Sequence, residues 1–280
     1  MKTWNQYYQE CKKSFPTQSE VSIYDLKLND ITQDLQLDEE YYEIIGNLSK
    51  SVSDSFKTDG FLVQANAQSV ISASPFFEDI AKICNKYFKD YLERFVFGSY
   101  VYCDNIKIYK TPKEASQEKS SWMWHLDNNP KEQVKIMIYL SNVDENAGPF
   151  EYMIDPDGQA VKASTRRIDY ASWCTSKGIH KTKYCSWYSS RVSQEAVKLM
   201  TQNGCKPNKI CGNMGTVILF DNNIVHRGSL PIVDSRLAMT LQFRPVDVER
   251  TSLVDESYTG NGWEHTTFNK DPEIIENVRR

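Results

Sequence analysis

The sequence predicts a mainly β protein, a barrel or sandwich of short strands, with helices flanking it and one long insert. Three observations carry that prediction. Apolar residues recur at helical spacing in the first third, the period changes to two from about residue 100, and an aromatic and basic interval then interrupts the series of strands. At 280 residues the chain is long enough for one well-buried core and still of single-domain size, so one domain over 1–280 is expected.

The elements follow in order. Residues 38–58 place Tyr41, Ile44, Ile45, Leu48, Val52 and Phe56 on one helical face, and Thr58-Asp59-Gly60 stops the pattern before a strand-like Phe61-Leu62-Val63. A second helix is predicted from near Ser74, with Pro75 in its first turn, through Phe77, Ile80, Ile83, Tyr87 and Leu92. Strands are predicted at 104–110, 121–127, 133–140, 215–220 and 236–244. The chain thus divides into a mostly helical region (1–98), a β core (99–150 and 213–246), an insert (151–212) expected over the mouth of the site, and a C-terminal extension (247–280). A short helix around Ser193 to Met200 is expected within the insert. Gly148 and Gly215 read as turn residues, and Asp144 with Glu145 as a solvated loop cap.

Composition narrows the function classes. A formal charge of -4, with 25% charged and 40% hydrophobic residues, argues against a partner that attracts the whole surface, such as nucleic acid or anionic lipid. The seven cysteines are scattered and contain no C-x-x-C pair, so neither a disulfide framework nor a thiolate zinc site is expected, and a reducing compartment fits. No leader segment and no run approaching roughly 18 apolar residues is seen. The expected location is the cytoplasm.

Chemistry concentrates in Ser121-Trp-Met-Trp-His125-Leu-Asp127. On a strand, His125 and Asp127 share one face while Trp122, Trp124 and Leu126 pack on the other. A second histidine, His226, ends the strand-like run from Gly215. Two imidazoles and one carboxylate on one face of an octahedron leave positions open, which suits Fe(II) with further ligands to bind. Ten positions on, Arg236 opens a run in which Arg236, Ala238, Thr240 and Gln242 share a face and Leu237, Met239, Leu241 and Phe243 the other. A guanidinium in a barrel interior calls for an anion, and its planar fork matches a carboxylate. In the strand 104–110, Asn105, Lys107 and Tyr109 face away from Ile106 and Ile108; Tyr109 and Asn105 are chosen as further co-substrate contacts.

The H-x-D dyad, the segment Val134–Asp144 followed by Asn146-Ala-Gly-Pro-Phe150, and the run from Gly215 to His226-Arg-Gly-Ser-Leu-Pro231 followed by Arg236 resemble the phytanoyl-CoA dioxygenase-like family of Fe(II)/2-oxoglutarate oxygenases. The likeness extends to the helix leading into Asp59-Gly60-Phe61 and covers most of 40–245. The resemblance implies a double-stranded β-helix, or jelly-roll, cupin-like core. It implies Fe(II) on His125, Asp127 and His226, with 2-oxoglutarate on Arg236 and O₂ as second co-substrate. Succinate and CO₂ would be released and a substrate hydroxylated. The carboxylate Asp127, where related halogenases have a small residue, favours hydroxylation, desaturation or ring closure over halogenation. Two departures are visible. Gly228 stands where the family often has Ser, with Ser229 following it, and Glu151-Tyr-Met-Ile-Asp-Pro plus the insert replace the usual stretch.

Each feature has a plainer reading. H-x-D by itself is common by chance, and it is the combination with His226 and Arg236 that carries weight. Trp122, Trp124, Phe150 and Tyr139 read as core packing before substrate contacts, and His180 and His265 as surface or core residues. Between 156 and 211, ten Lys/Arg stand against three Asp/Glu, a net of +7 that leaves -11 for the remainder of the chain. This asymmetry suits an anionic small-molecule substrate, or simply a solvated insert. Two other functions stay open: a metal- or ligand-binding jelly roll without turnover, and a cupin-like metalloenzyme that does not use 2-oxoglutarate.

Overall fold

The computed structural model describes residues 2–17, 20–58, 69–71, 73–113, 120–127, 129–162 and 191–254. Its core is antiparallel. A larger sheet contains β1 (Asn29–Asp30), β2 (Ser69–Ile71), β3 (Tyr100–Thr111), β4 (Val134–Tyr139), β7 (Val217–Asp221) and β9 (Arg236–Val246), in the order β1-β7-β4-β9-β3-β2. A smaller sheet has the order β6-β5-β8, from β5 (Phe150–Ile154), β6 (Lys206–Ile210) and β8 (His226–Gly228).

Alternation decides what each face of the larger sheet meets. Ile106 and Ile108 of β3, Val134, Ile136 and Ile138 of β4, and Leu237, Met239, Leu241 and Phe243 of β9 form one buried cluster with the helices. The opposite face contributes Tyr109, Met137, Tyr139, Ile218, Phe220 and Ala238, which pack against Phe150 and Ile224 from the facing layer. The arrangement is the jelly-roll, double-stranded β-helix expected, with helices covering one side.

α1 (Trp4–Ser14) begins with a capping box of Thr3 and Gln6 and buries Trp4, Tyr7, Tyr8 and Cys11. α2 (Glu39–Thr58) confirms the first predicted helix; Tyr41, Ile45, Leu48 and Val52 are fully buried, and the Tyr41 hydroxyl donates to the Gly215 carbonyl at 2.9 Å. The second predicted helix is interrupted. After a 3₁₀ turn at Ser74–Phe76 and α3 (Phe77–Ile83) come π-helical segments at Cys84–Phe88 and Leu92–Phe97, separated by α4 (Lys89–Tyr91). Phe88, Leu92 and Val96 are all buried at successive intervals of four, wider than an α-helical turn, and π turns keep them on the sheet-facing side.

Two sequence expectations require correction. Residues 121–127 are not a strand: Ser120–Trp122 is a 3₁₀ turn and His125 alone makes a bridge to His226. The Met123 carbonyl accepts from the His125 ring and the Asp127 N–H donates to Asn222, so no continuous ladder forms. The insert expected over 151–212 is narrower in the structure, because β5 and β6 pair with each other as strands of the smaller sheet. β6 reads Lys-Pro-Asn-Lys-Ile on a largely exposed edge and offers no apolar alternation. The excursion proper runs from 155 to 205; α5 (Gln194–Gln202), capped by Ser193, is the predicted short helix. Its segment 163–190, with His180, lies outside the described residues, as do Asp59-Gly60-Phe61, His265 and the chain after 254. No helix among the described residues is long and apolar enough to cross a membrane.

Tyr139 ties the two sheets together. Its buried hydroxyl donates to the Ile210 carbonyl at 2.7 Å and accepts from the Phe150 N–H at 2.9 Å. Tyr139→Phe leaves both backbone groups unpaired and should lower unfolding free energy by about 2–4 kcal/mol, measured by urea denaturation. A loss below about 0.5 kcal/mol would show that this link does not hold the layers in place.

Candidate metal centre

His125, Asp127 and His226 offer ligand atoms that all lie within 4.8 Å of one another. They arrive from separate places. β8 begins with His226, whose backbone exchanges hydrogen bonds with His125 at 2.9 and 3.0 Å. The Asp127 N–H is held by Asn222 at 3.0 Å, in the turn that follows β7.

The imidazoles are oriented by their own chain. His125 Nδ1 contacts the Met123 carbonyl at 2.8 Å and His226 Nδ1 the Ile224 carbonyl at 2.9 Å. A carbonyl can only accept, so each Nδ1 carries the proton and each Nε2 lone pair is left to face Asp127. His226 Nε2 is 3.5 Å from one carboxylate oxygen, and His125 Nε2 is 3.8 Å from the other. The His226 ring stacks on Phe150, with centroids 5.4 Å apart, and Phe220 flanks it at 5.5 Å.

Electrostatics favour the ligating protonation states. Burial holds both imidazoliums below the usual range, helped at His125 by the neighbouring His226. For Asp127, burial works to raise the pKa, but the carboxyl is held well below its ordinary range, chiefly by the Lys135 ammonium beside it. Lys135 Nζ donates to Asp127 Oδ2 at 2.6 Å. Two neutral imidazole nitrogens and one carboxylate are a donor set suited to a borderline divalent ion such as Fe(II).

A cavity of about 160 Å³ opens in front of the three groups. Arg236, Tyr109 and Asn105 all line it, as the alternation required. Arg236 is only 1% exposed; its guanidinium donates to the Gly148 carbonyl and, at 3.5 Å, to the Thr111 hydroxyl. Its Nε has no partner, and among the described residues no carboxylate pairs with it. A buried fork with donors to spare is what a carboxylate ligand would satisfy. Gly148, whose carbonyl accepts from Arg236, has a φ of 74°, and a Cβ there would meet the Ser229 carbonyl at 2.7 Å and the Pro231 ring at 2.8 Å, so the 229–231 segment packs directly on it. The departure at 228–229 also acquires a cause. A Cβ at Gly228 would come within 3.0 Å of Arg236, while the Ser229 hydroxyl donates to Glu151 at 3.1 Å.

Lys135 and Arg227, which had no place among the expected site residues, also line the cavity, and so do Ser121, Lys107 and Gln242, the last on the expected Arg236 face. Lys135 had a legible signal, being the one charge in the apolar strand Val-Lys-Ile-Met-Ile-Tyr. The insert contributes at its C-terminal end, where Arg191 bridges to His125 and the Val192 N–H donates to Trp124 at 2.9 Å. Lys162, counted among the basic residues of the insert, is instead tied down by Asp221 at 2.9 Å and the Leu26 carbonyl at 2.8 Å.

No family profile and no curated protein matches the chain. Solved structures do. The chain is similar to EctD from S. alaskensis, crystallised with 2-oxoglutarate and 5-hydroxyectoine, at 16% identity over 74% of this chain and 73% of that one (TM-score 0.48). It is similar to the epimerase SnoN, in complex with Fe3+, alpha ketoglutarate and nogalamycin RO, at 8% identity over 74% and 75% (TM-score 0.48). The carbocyclase SnoK from nogalamycin biosynthesis matches at 10% identity over 75% and 76% (TM-score 0.48).

Because both imidazoles titrate below the ordinary 6.5 in the folded chain, protons begin to compete for the ligand nitrogens only below that value. Co(II) affinity of the apoprotein, followed by its visible absorption, should stay nearly flat from about pH 8 to about pH 6.5 and fall at lower pH. The sign for stability follows: as pH drops through 6.5 the unfolded chain takes up protons that the folded one refuses, so the apoprotein loses stability. A midpoint for Co(II) loss above pH 6.5 would contradict the assignment.

Proposed function

We propose that this chain is an Fe(II)- and 2-oxoglutarate-dependent dioxygenase that hydroxylates a small molecule. The observation that carries the reading is the pairing of a buried His/Asp/His group with a buried, incompletely satisfied guanidinium across one cavity. It rests on these side chains and not on the distant structural likenesses.

Each residue then has a task. His125, Asp127 and His226 would hold the ferrous ion through two imidazole nitrogens and one carboxylate, a three-donor set that would leave it able to take further ligands. Arg236 binds the distal carboxylate of 2-oxoglutarate, with the Tyr109 ring packed 5.7 Å from the guanidinium carbon and the Asn105 amide further along the same wall. Phe150, Phe220 and Met137 line the same space and keep water from it. When bound, iron and 2-oxoglutarate supply the oxidising chemistry, in which O₂, 2-oxoglutarate and a C–H bond yield succinate, CO₂ and an alcohol. The chain's own contribution is to fix both co-substrates and to hold the target carbon next to the metal.

A metal site that did not use 2-oxoglutarate would leave the spare donors of Arg236 without a purpose, and a binding module would need no open metal positions. Anaerobic titration of Fe(II) and then 2-oxoglutarate separates these readings. We expect a weak visible metal-to-ligand charge-transfer band, lost in Asp127→Ala, with succinate released under O₂. Arg236→Ala should raise the 2-oxoglutarate concentration for half-saturation by about 10- to 100-fold while iron still binds. No band in the wild-type chain, or an unchanged 2-oxoglutarate requirement in Arg236→Ala, would defeat the reading.

A further inference from the structure

Hydrogen-bond direction along one buried row of amides decides what part of the cavity can recognise. Gln242 of β9 is 3% exposed and lines the cavity. Its Nε2 donates to Gln133 Oε1 at 2.8 Å, and Gln133 Nε2 donates in turn to Asp104 Oδ2 at 3.3 Å. Arg244 Nε lies 3.8 Å from the same carboxylate oxygen. A carboxylate beside a guanidinium only accepts, so Gln133 turns its amino group to Asp104 and its carbonyl to Gln242. Gln242 must then turn its own amino group to Gln133. Flipping Gln242 would set two carbonyl oxygens face to face, and flipping Gln133 would set an oxygen against the carboxylate.

The end of Gln242 left over is its Oε1. Among the described residues no group donates to it, and it keeps a surface open to the cavity. A nearly buried carbonyl held in one orientation is a fixed acceptor, and its partner has to come from a ligand or from water. It stands near the metal centre. Lys135, which donates to Asp127, is the register partner of Gln242 on the adjacent strand β4, about 4.8 Å away in the backbone. The Gln133 carbonyl accepts from Asn222 Nδ2 at 3.0 Å, and the Asn222 carbonyl holds the Asp127 N–H. The amide row and the metal ligand are thus fastened to one turn.

Neither co-substrate can use this oxygen. At neutral pH 2-oxoglutarate presents two carboxylates and a ketone, all of them acceptors, and O₂ donates nothing. We infer that Gln242 Oε1 is a substrate-recognition site that takes a hydrogen-bond donor, a hydroxyl or an N–H, of the molecule to be oxidised. The inference rests on the dioxygenase reading and adds a substrate class to it. Gln133 and Asp104 are positioning residues, which act by keeping the acceptor end of Gln242 toward the cavity.

The test uses the full chain, anaerobic and loaded with Fe(II) and 2-oxoglutarate, with the charge-transfer band reporting co-substrate occupancy. N-Methylacetamide, which carries one N–H, and N,N-dimethylacetamide, which carries none, are titrated by calorimetry. The wild type should bind the first about three- to tenfold more tightly, and Gln242→Met should bring the ratio close to one. Gln133→Met, which frees the Gln242 amide to turn, should lower the ratio with Gln242 still in place. Fe(II) and 2-oxoglutarate affinities of Gln242→Met should stay within about twofold of the wild type. If the wild type binds both probes equally, or neither, the recognition site is refuted whether or not the variants fold. An unchanged ratio in Gln133→Met overturns the positioning role. If Gln242→Met weakens iron or 2-oxoglutarate and leaves the ratio as it was, Gln242 serves the metal or the co-substrate and the inference is overturned. Absence of the band in the wild type would remove the dioxygenase reading itself, whereas a band without any preference between the probes removes this site alone.

Discussion

Two imidazole lone pairs and a carboxylate directed at one another inside a protein are tolerable only with a cation between or beside them. Here the backbone enforces the convergence: the Met123 and Ile224 carbonyls fix both ring tautomers, and the His125–His226 bridge fixes their separation. In the structure as it stands, Lys135 supplies the positive charge. The rest of the site follows from this constraint, since whatever binds must suit a preformed set of two nitrogens and one oxygen.

The fold provides the convergence through its two layers. The larger sheet turns one face to the helices and the other to the smaller sheet, so its inner wall can carry Asn105, Lys107, Lys135, Arg236 and Gln242 without disturbing the main core. The smaller sheet brings His226 and Phe150 across from it. Tyr139 reaches from one to the other with both of its hydrogen bonds made to backbone. Charged groups on such a wall are expensive unless ligands complete them, and a cavity into which a buried arginine brings an Nε without a partner is a binding site by that argument.

Much of this was legible in the sequence. The alternation in 236–244 assigned each side chain to the correct face, and the spacing of 38–58 gave α2 almost to the residue. His125, Asp127 and His226 were recognisable because a chain with four histidines places two of them in this context. What escaped notice lacked a local signal. β6 is a polar edge strand whose identity depends on pairing with β5, across an excursion of some fifty residues. The strand expected at 121–127 failed because the hydrogen bonds that would extend it are made by the His125 ring and by Asn222. The π segments answer a packing requirement of the sheet above them, which propensity within the helix does not express.

The central claim is that His125, Asp127 and His226 together hold one ferrous ion. X-ray absorption on the anaerobic chain loaded with one equivalent of Fe(II) measures this most directly. The account predicts one tightly held iron per chain in a six-coordinate shell of nitrogen and oxygen, with outer-shell scattering from two imidazoles. Scattering from fewer than two imidazoles, or iron that washes away from the wild-type chain, would contradict it.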